Sequence, residues 1–232
     1  MGLSITDKTS ESTLTEDQIK DIKEEERSAE DSSDFSRLAQ GIARAGDMEW
    51  AKKVYIKAED KAEVSYDFMY LAEDLCIYLK DKEWAKKVYI KAEDKAEVCR
   101  DFMRLARCIY DTLEDKEWAE KNFIKAEDKA ENFDNFRELA VHLGGKFGNK
   151  EWAKKVYIKA EDKAEDSGDF QFLAESLYQK FGDKEWAKKA YIKAEDKAEF
   201  YEDFYGLAES VNDYLGDKKW AKLLKQKAKK LL

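Results

Sequence analysis

The chain has 232 residues, no proline, 41% charged side chains and a formal net charge of −9. That balance argues against nucleic acid as the main partner, because phosphate binding selects a basic footprint. No apolar run nears the roughly 20 residues that a membrane span needs, and no signal-peptide pattern is read at the start.

All six tryptophans, Trp50, Trp84, Trp118, Trp152, Trp186 and Trp220, stand 34 residues apart. A fixed period of about that length marks stacked helical hairpins, each burying its apolar face against its neighbours. The missing proline and the wealth of Ala, Lys and Glu suit long helices joined by short turns.

In chain order, residues 1–13 are polar, lack periodicity and are expected to form a disordered tail. Met1-Gly2-Leu3-Ser4-Ile5-Thr6 fits the permissive pattern for N-myristoylation, with Asp7 an unfavourable neighbour. Thr15-Glu16-Asp17-Gln18 has the spacing of a capping box and predicts a capping helix within 14–31. That segment ends in RSAE where later units end in DKAE, so it reads as a diverged copy of a second helix.

Six repeats follow over 32–232. Each opens with Asp/Asn-Phe-x-x-Leu-Ala, at Asp34-Phe35, Asp67-Phe68, Asp101-Phe102, Asn135-Phe136, Asp169-Phe170 and Asp203-Phe204. The Asp or Asn is expected to be the helix N-cap. Phe68, Leu71, Ala72, Leu75 and Leu79 then lie within about 60° of one direction and predict one buried face. A break such as Gly182-Asp183 supplies a left-handed turn and the next cap. In the second helix Trp84, Ala85, Val88, Tyr89, Ala92 and Ala96 form the apolar stripe, and Trp118, like its counterparts, is expected to be buried between hairpins. The carboxylates of this helix read as a solvated, charge-paired face, with Glu83 and Lys87 four residues apart. Ile56, Ile90, Ile124, Ile158 and Ile192 fall opposite the stripe and predict an exposed row.

The pattern Phe35, Leu38, Ala39, Ile42, Gly46, Asp47, Ala51, Tyr55, Ala58 resembles the tetratricopeptide repeat (TPR) family and, more distantly, Sel1-like repeats. The resemblance spans about residues 32–232. It implies an all-α, right-handed α-solenoid of six 34-residue helix–turn–helix repeats behind the N-terminal capping helix. It also implies a concave groove, lined by the first helices, that recognises peptides. Units two to six carry one extra residue between Phe and Trp, lack the family's proline and bear charges on the second helix. The rotation of the second helices is thereby left open.

No catalytic constellation stands out. Cys76, Cys99 and Cys108 are odd in number and read as free thiols. His142 is alone, the glycines are scattered, and Cys and His are too few for zinc. The chain is therefore read as a cytoplasmic non-enzyme with no metal site and no cofactor. The informative residues are the arginines: of seven, six lie on first helices. Arg37, Arg44, Arg100, Arg104, Arg107 and Arg137 point about 100° to 200° away from the Phe of their helix. On the implied geometry that is the groove, which they share with Tyr70, Met103, Tyr110, Phe172, Tyr178 and Tyr205. A planar guanidinium suits carboxylates, so the expected partner is a protein or peptide with acidic or C-terminal carboxylate groups. The same arginines could instead bridge neighbouring helices. In the last two units the face turns acidic, with Glu175, Glu202, Glu209 and Asp213. A competing reading is a self-assembling structural protein, a homo-oligomer stacked head to tail through its acidic first helix and its lysine-rich last one.

Overall fold

The structure, a computed structural model, describes residues 14–232. The expected tail and the Gly2 pattern lie outside the described residues. The described fold is all-α, and its helices alternate between first and second members of a hairpin, as the repeat predicts. They are α1 (Glu16–Ser28), α2 (Ser32–Arg44), α3 (Met48–Lys61), α4 (Ser65–Asp74), α5 (Lys82–Asp94), α6 (Cys99–Leu113), α7 (Lys116–Asp128), α8 (Phe133–Gly144), α9 (Lys150–Lys163), α10 (Ser167–Phe181), α11 (Lys184–Lys197), α12 (Tyr201–Ser210) and α13 (Lys218–Ala228). The chain divides into two compact units, one ending at Ala126 and the other beginning at Glu127. In the first, α2 pairs with α3 and α4 with α5, and the first helices α2, α4 and α6 pack in succession. In the second, α8, α10 and α12 do the same, each with its second helix, α9, α11 or α13.

The core follows the periodicity. Leu38, Ala39 and Ile42 on α2, Leu71, Ala72 and Leu75 on and just beyond α4, and Leu139, Ala140 and Leu143 on α8 are buried. Facing them are four positions of each second helix, such as Ala85, Val88, Tyr89 and Ala92, all fully buried. Small alanines between large side chains let the helices approach closely and interlock. The same four positions recur as Ala51, Val54, Tyr55, Ala58 and as Ala187, Ala190, Tyr191, Ala194. The rotation of the second helix is therefore common to these hairpins. Two of the units with the extra residue end their first helix in one wide π turn, Leu75–Leu79 after α4 and Val211–Leu215 after α12, whereas α6 and α10 stay α-helical to their ends. Opposite the stripe, Ile56, Ile90, Ile124, Ile158 and Ile192 are exposed, as expected.

Each hairpin turn passes through a residue with positive φ, at Gly46, Lys80, Glu114, Gly148, Gly182 and Gly216. Lys80 (φ 56°) and Glu114 (φ 60°) adopt this left-handed conformation without glycine's freedom. The next residue caps the second helix. Asp47, Asp81, Asp115, Asn149, Asp183 and Asp217 accept from the backbone N–H of the tryptophan three residues on, at 2.9–3.1 Å.

The first helices begin earlier than expected. Asp34, Asp67, Asp101, Asn135, Asp169 and Asp203 are not the N-caps but sit within the first turn. Their side chains reach back to accept from the backbone N–H four residues before, at 3.0–3.3 Å. Asp31, Asn132 and Asp166 are N-caps, and their side chains accept from the backbone N–H of Asp34, Asn135 and Asp169.

A second correction concerns the tryptophans and the carboxylates thought to be solvated. Trp118 and its five counterparts are only half-buried. Each indole N–H reaches a glutamate on the preceding second helix. Glu93 accepts from Trp118 Nε1 at 2.6 Å through one carboxylate oxygen and from Lys125 Nζ at 2.6 Å through the other. In the first unit Glu59 does the same with Trp84 and Lys91 at 2.7 and 2.8 Å. In the second unit Glu127 binds Trp152 and Lys159, Glu161 binds Trp186 and Lys193, and Glu195 binds Trp220 and Lys227, all within 2.9 Å. On α1, Glu26 serves Trp50 at 3.2 Å and Lys57 at 2.7 Å. The diverged helix thus performs the second-helix role that its sequence suggests. All six carboxylates are only 16–18% exposed. The lysines lie 5.6–6.0 Å above the first-helix phenylalanines in five repeats, from Phe35 to Phe204. A hydrogen bond to a charged group contributes about 1.5–3 kcal/mol.

One core position departs from the apolar stripe. Asn122 is fully buried where other hairpins hold Val54, Val88 and Val156, and its Oδ1 has no hydrogen-bond partner. Its amide donates only to Trp118 O at 3.1 Å. Removing an unsatisfied buried acceptor recovers about 1–3 kcal/mol. Asn122→Val is therefore expected to raise the denaturant midpoint with an unchanged m-value, and an equal or lower midpoint would contradict this packing.

Candidate functional site

First helices expose what the clamps on the second helices leave variable. In the first unit Arg104, on α6, stacks its guanidinium 4.4 Å from the Tyr66 ring centroid and 6.0 Å from that of Tyr70 on α4. The two tyrosines meet edge to face and share a bond between their hydroxyls. Both rings are substantially exposed. Arg100 and Arg107 are exposed about one turn to either side of Arg104, as the helix wheel predicts. Arg44 donates to the Tyr78 hydroxyl at 2.7 Å and lies over its ring. Arg37 is tied to Asp34 in its own helix at 2.8 Å.

In the second unit Arg137 pairs with Asp134 at 3.2 Å and stacks 4.5 Å from the Phe172 centroid on α10. Tyr178 meets Tyr214 edge-on at 5.7 Å, and Tyr205 stacks on Tyr201 at 5.7 Å under the Lys225 ammonium. Glu175 accepts from Ser210 and Gln171 rather than standing free on the face.

Arg44, Arg104 and Arg137 therefore each join one first helix to a neighbouring one, which is the bridging role. Among the described residues no hydrogen bond uses the in-plane N–H groups of Arg104. Met103 requires correction as a groove residue: it is 1% exposed and belongs to the core. Tyr110 is half-buried on α6.

The sequence reading missed a cleft between α2 and α4. It encloses about 400 Å³ and is lined by Ser32, Ser33, Ser36, Arg37, Gln40, Tyr66, Asp67, Tyr70 and Asp74. Asp74 is 7% exposed and accepts from Gln40 Nε2 at 2.8 Å. Burial, opposed by that bond, raises its carboxyl to about 6. The Tyr55 hydroxyl, buried without a hydrogen-bond partner, is pushed well above the ordinary phenol range by burial and then by the Asp74 charge. Aligning the repeats at 34 residues offers the signal that could have found the site. Cys108, His142, Ser176 and Ser210 occupy the position of Asp74, and it alone is a carboxylate.

The chemistry elsewhere is sparse. Cys76, Cys99 and Cys108 are reduced and buried, and burial pushes the Cys76 and Cys108 thiols up, away from thiolate reactivity. Among the described residues no group of three His, Cys, Asp or Glu could hold a metal ion, and no helix is long and apolar enough to cross a membrane.

No protein-family model matches the chain, and no curated protein does. Among solved structures, the chain is similar to the C-terminal part of a TPR repeat-containing protein from Cytophaga hutchinsonii. The TM-score is 0.48 and the identity 16%, over 93% of this chain and 89% of that one.

The Asp74 carboxyl gives a pH signature. Its folded value lies above the unfolded one, so the folded state holds the proton more tightly. Its contribution is most favourable below pH 4, falls between about 4 and 6, and is flat above. Asp74→Asn keeps an acceptor for Gln40 and abolishes that fall. Allowing for water at the cleft, the variant is expected to gain about 1–2 kcal/mol over wild type between pH 4 and 7. Chemical denaturation at both pH values measures it, and parallel pH profiles would contradict the assignment.

Proposed function

We propose that this chain is a non-enzymatic protein-interaction scaffold that binds a carboxylate-bearing segment of a partner against the exposed faces of its first helices. The single observation that carries this reading is Arg104, stacked on Tyr66 with its in-plane donors uncommitted. Such an arginine is held in place before a ligand arrives, so less side-chain entropy is lost on binding. Arg100 and Arg107 add positive charge on the same helix, and Tyr70 adds aromatic contact of the kind that dominates interfaces. In the second unit Arg137 on Phe172, together with Tyr178 and Tyr205, offers a similar mixture. The TPR-like character of the repeat agrees with a scaffold role.

Stacking head to tail is less well supported. The position of the cross-repeat glutamate is taken by Lys229, just after α13, which offers no carboxylate to a further tryptophan and lysine.

The test uses fluorescent peptides with an Asp/Glu-rich sequence and a free C-terminus, against amidated, Gln/Asn-substituted controls. The acidic peptides are expected to bind preferentially, and Arg104→Ala with Arg107→Ala is expected to weaken them roughly a hundredfold or more, at about 1.5–3 kcal/mol per charge-assisted bond. Equal binding of acidic and neutral peptides, or full affinity in the double variant, would overturn the carboxylate reading. A loss of several kcal/mol in folding stability would mark the arginines as structural bridges.

A further inference from the structure

We propose that the cleft between α2 and α4 receives a cationic side chain, lysine or arginine, from the same bound segment, with Asp74 as its counter-charge. The proposal rests on a segment binding this face, but not on the carboxylate contacts at α6.

Four features lead there. First, Asp74 is nine-tenths buried yet only half satisfied. Gln40 holds Oδ2, whereas Oδ1 makes no hydrogen bond among the described residues, and the residue lines the cleft. A carboxylate oxygen that is open to the cleft and has no protein donor accepts most strongly from a donor that carries positive charge.

Second, among the described residues no cation is ion-paired with Asp74. Arg37 lines the cleft but is paired with Asp34, and Arg44 is engaged by Tyr78. Neither makes a salt bridge to Asp74.

Third, the remaining charge favours a cation over an anion. Asp67 adds a second carboxylate to the lining, one oxygen of which takes the Glu63 and Val64 N–H groups. An entering carboxylate would meet the Asp67 and Asp74 charges, while of the nearby arginines Arg37 is paired with Asp34, Arg44 bonds the Tyr78 hydroxyl and Arg104 lies over Tyr66. A wholly apolar side chain would displace water from Asp74 and leave it only the Gln40 bond.

Fourth, the walls suit the rest of such a side chain. Tyr66 and Tyr70, whose rings also carry the Arg104 guanidinium, present aromatic surface beside the opening against which the stem of a lysine or arginine packs. The volume of about 400 Å³ lies within the range of small-ligand sites. At the other junctions the position of Asp74 holds a thiol, an imidazole or a hydroxyl, so the preference is local to this one cleft.

The experiment observes the Tyr66 and Tyr70 ring resonances of the full chain by NMR while N-acetyl-lysine methylamide is added. N-acetyl-norleucine methylamide, nearly the same shape without the charge, is the control. The lysine probe is expected to shift both rings saturably and the norleucine probe to leave them unmoved. Asp74→Asn should weaken the lysine probe at least tenfold while keeping the fold, as judged by its melting curve. Tyr70→Ala, at an exposed wall, provides a second variant and should weaken it severalfold. Equal shifts from the two probes, or undiminished binding by Asp74→Asn, would overturn the proposal. A parallel titration with N-acetyl-glutamate methylamide separates the two readings. Its failure to bind removes the carboxylate contacts at α6 and leaves the cation site to be decided by the lysine probe alone.

Discussion

The carboxylate that joins one second helix to the next is the constraint on which each unit depends. One glutamate neutralises a lysine and satisfies an indole N–H of the following repeat, using both oxygens. The indole is anchored at the edge of the hairpin rather than sunk in its centre, where Tyr89 and its equivalents are packed. This arrangement accounts for the near identity of the second helices. Tryptophan, glutamate and lysine must each keep their place, because losing one strands the other two in a poorly solvated site. The lysine is further held over a first-helix phenylalanine, so the contact also ties the two layers together.

With hairpins joined in this way, the first helices are free to differ. Their inner faces repeat Phe, Leu and Ala, and their remaining faces carry arginines, tyrosines and acids that change from repeat to repeat. The seam between successive first helices varies most tellingly. Gln40 meets Asp74 in the first unit, whereas Glu175 meets Ser210 in the second. Constant clamps and variable seams give a frame on which surface chemistry can change without altering the hairpins.

Much of this was legible in the sequence because it is periodic. The Phe68, Leu71, Ala72, Leu75 series and the Ala85, Val88, Tyr89, Ala92 stripe set the buried faces, and four of the six left-handed turns stand at glycine, the others at Lys80 and Glu114. The caps were misplaced by one turn, since aspartate inside a first turn and aspartate at the cap look alike without the backbone. In sequence Glu93 looks like a solvated acid, because lysines on its own helix could also pair with it. Its actual partners are 25 and 32 residues away, and no local pattern selects them. Met103 fell outside the simple helix wheel because packing between neighbouring first helices widens the buried arc.

A double-mutant cycle on Glu93→Ala and Trp118→Phe, followed by chemical denaturation, tests the cross-repeat clamp most directly. Phenylalanine retains an aromatic ring and deletes the indole N–H. The account predicts a coupling energy of about 1.5–3 kcal/mol between the two sites, the size of a hydrogen bond to a charged group. Additive effects, agreeing within about 0.5 kcal/mol, would contradict it.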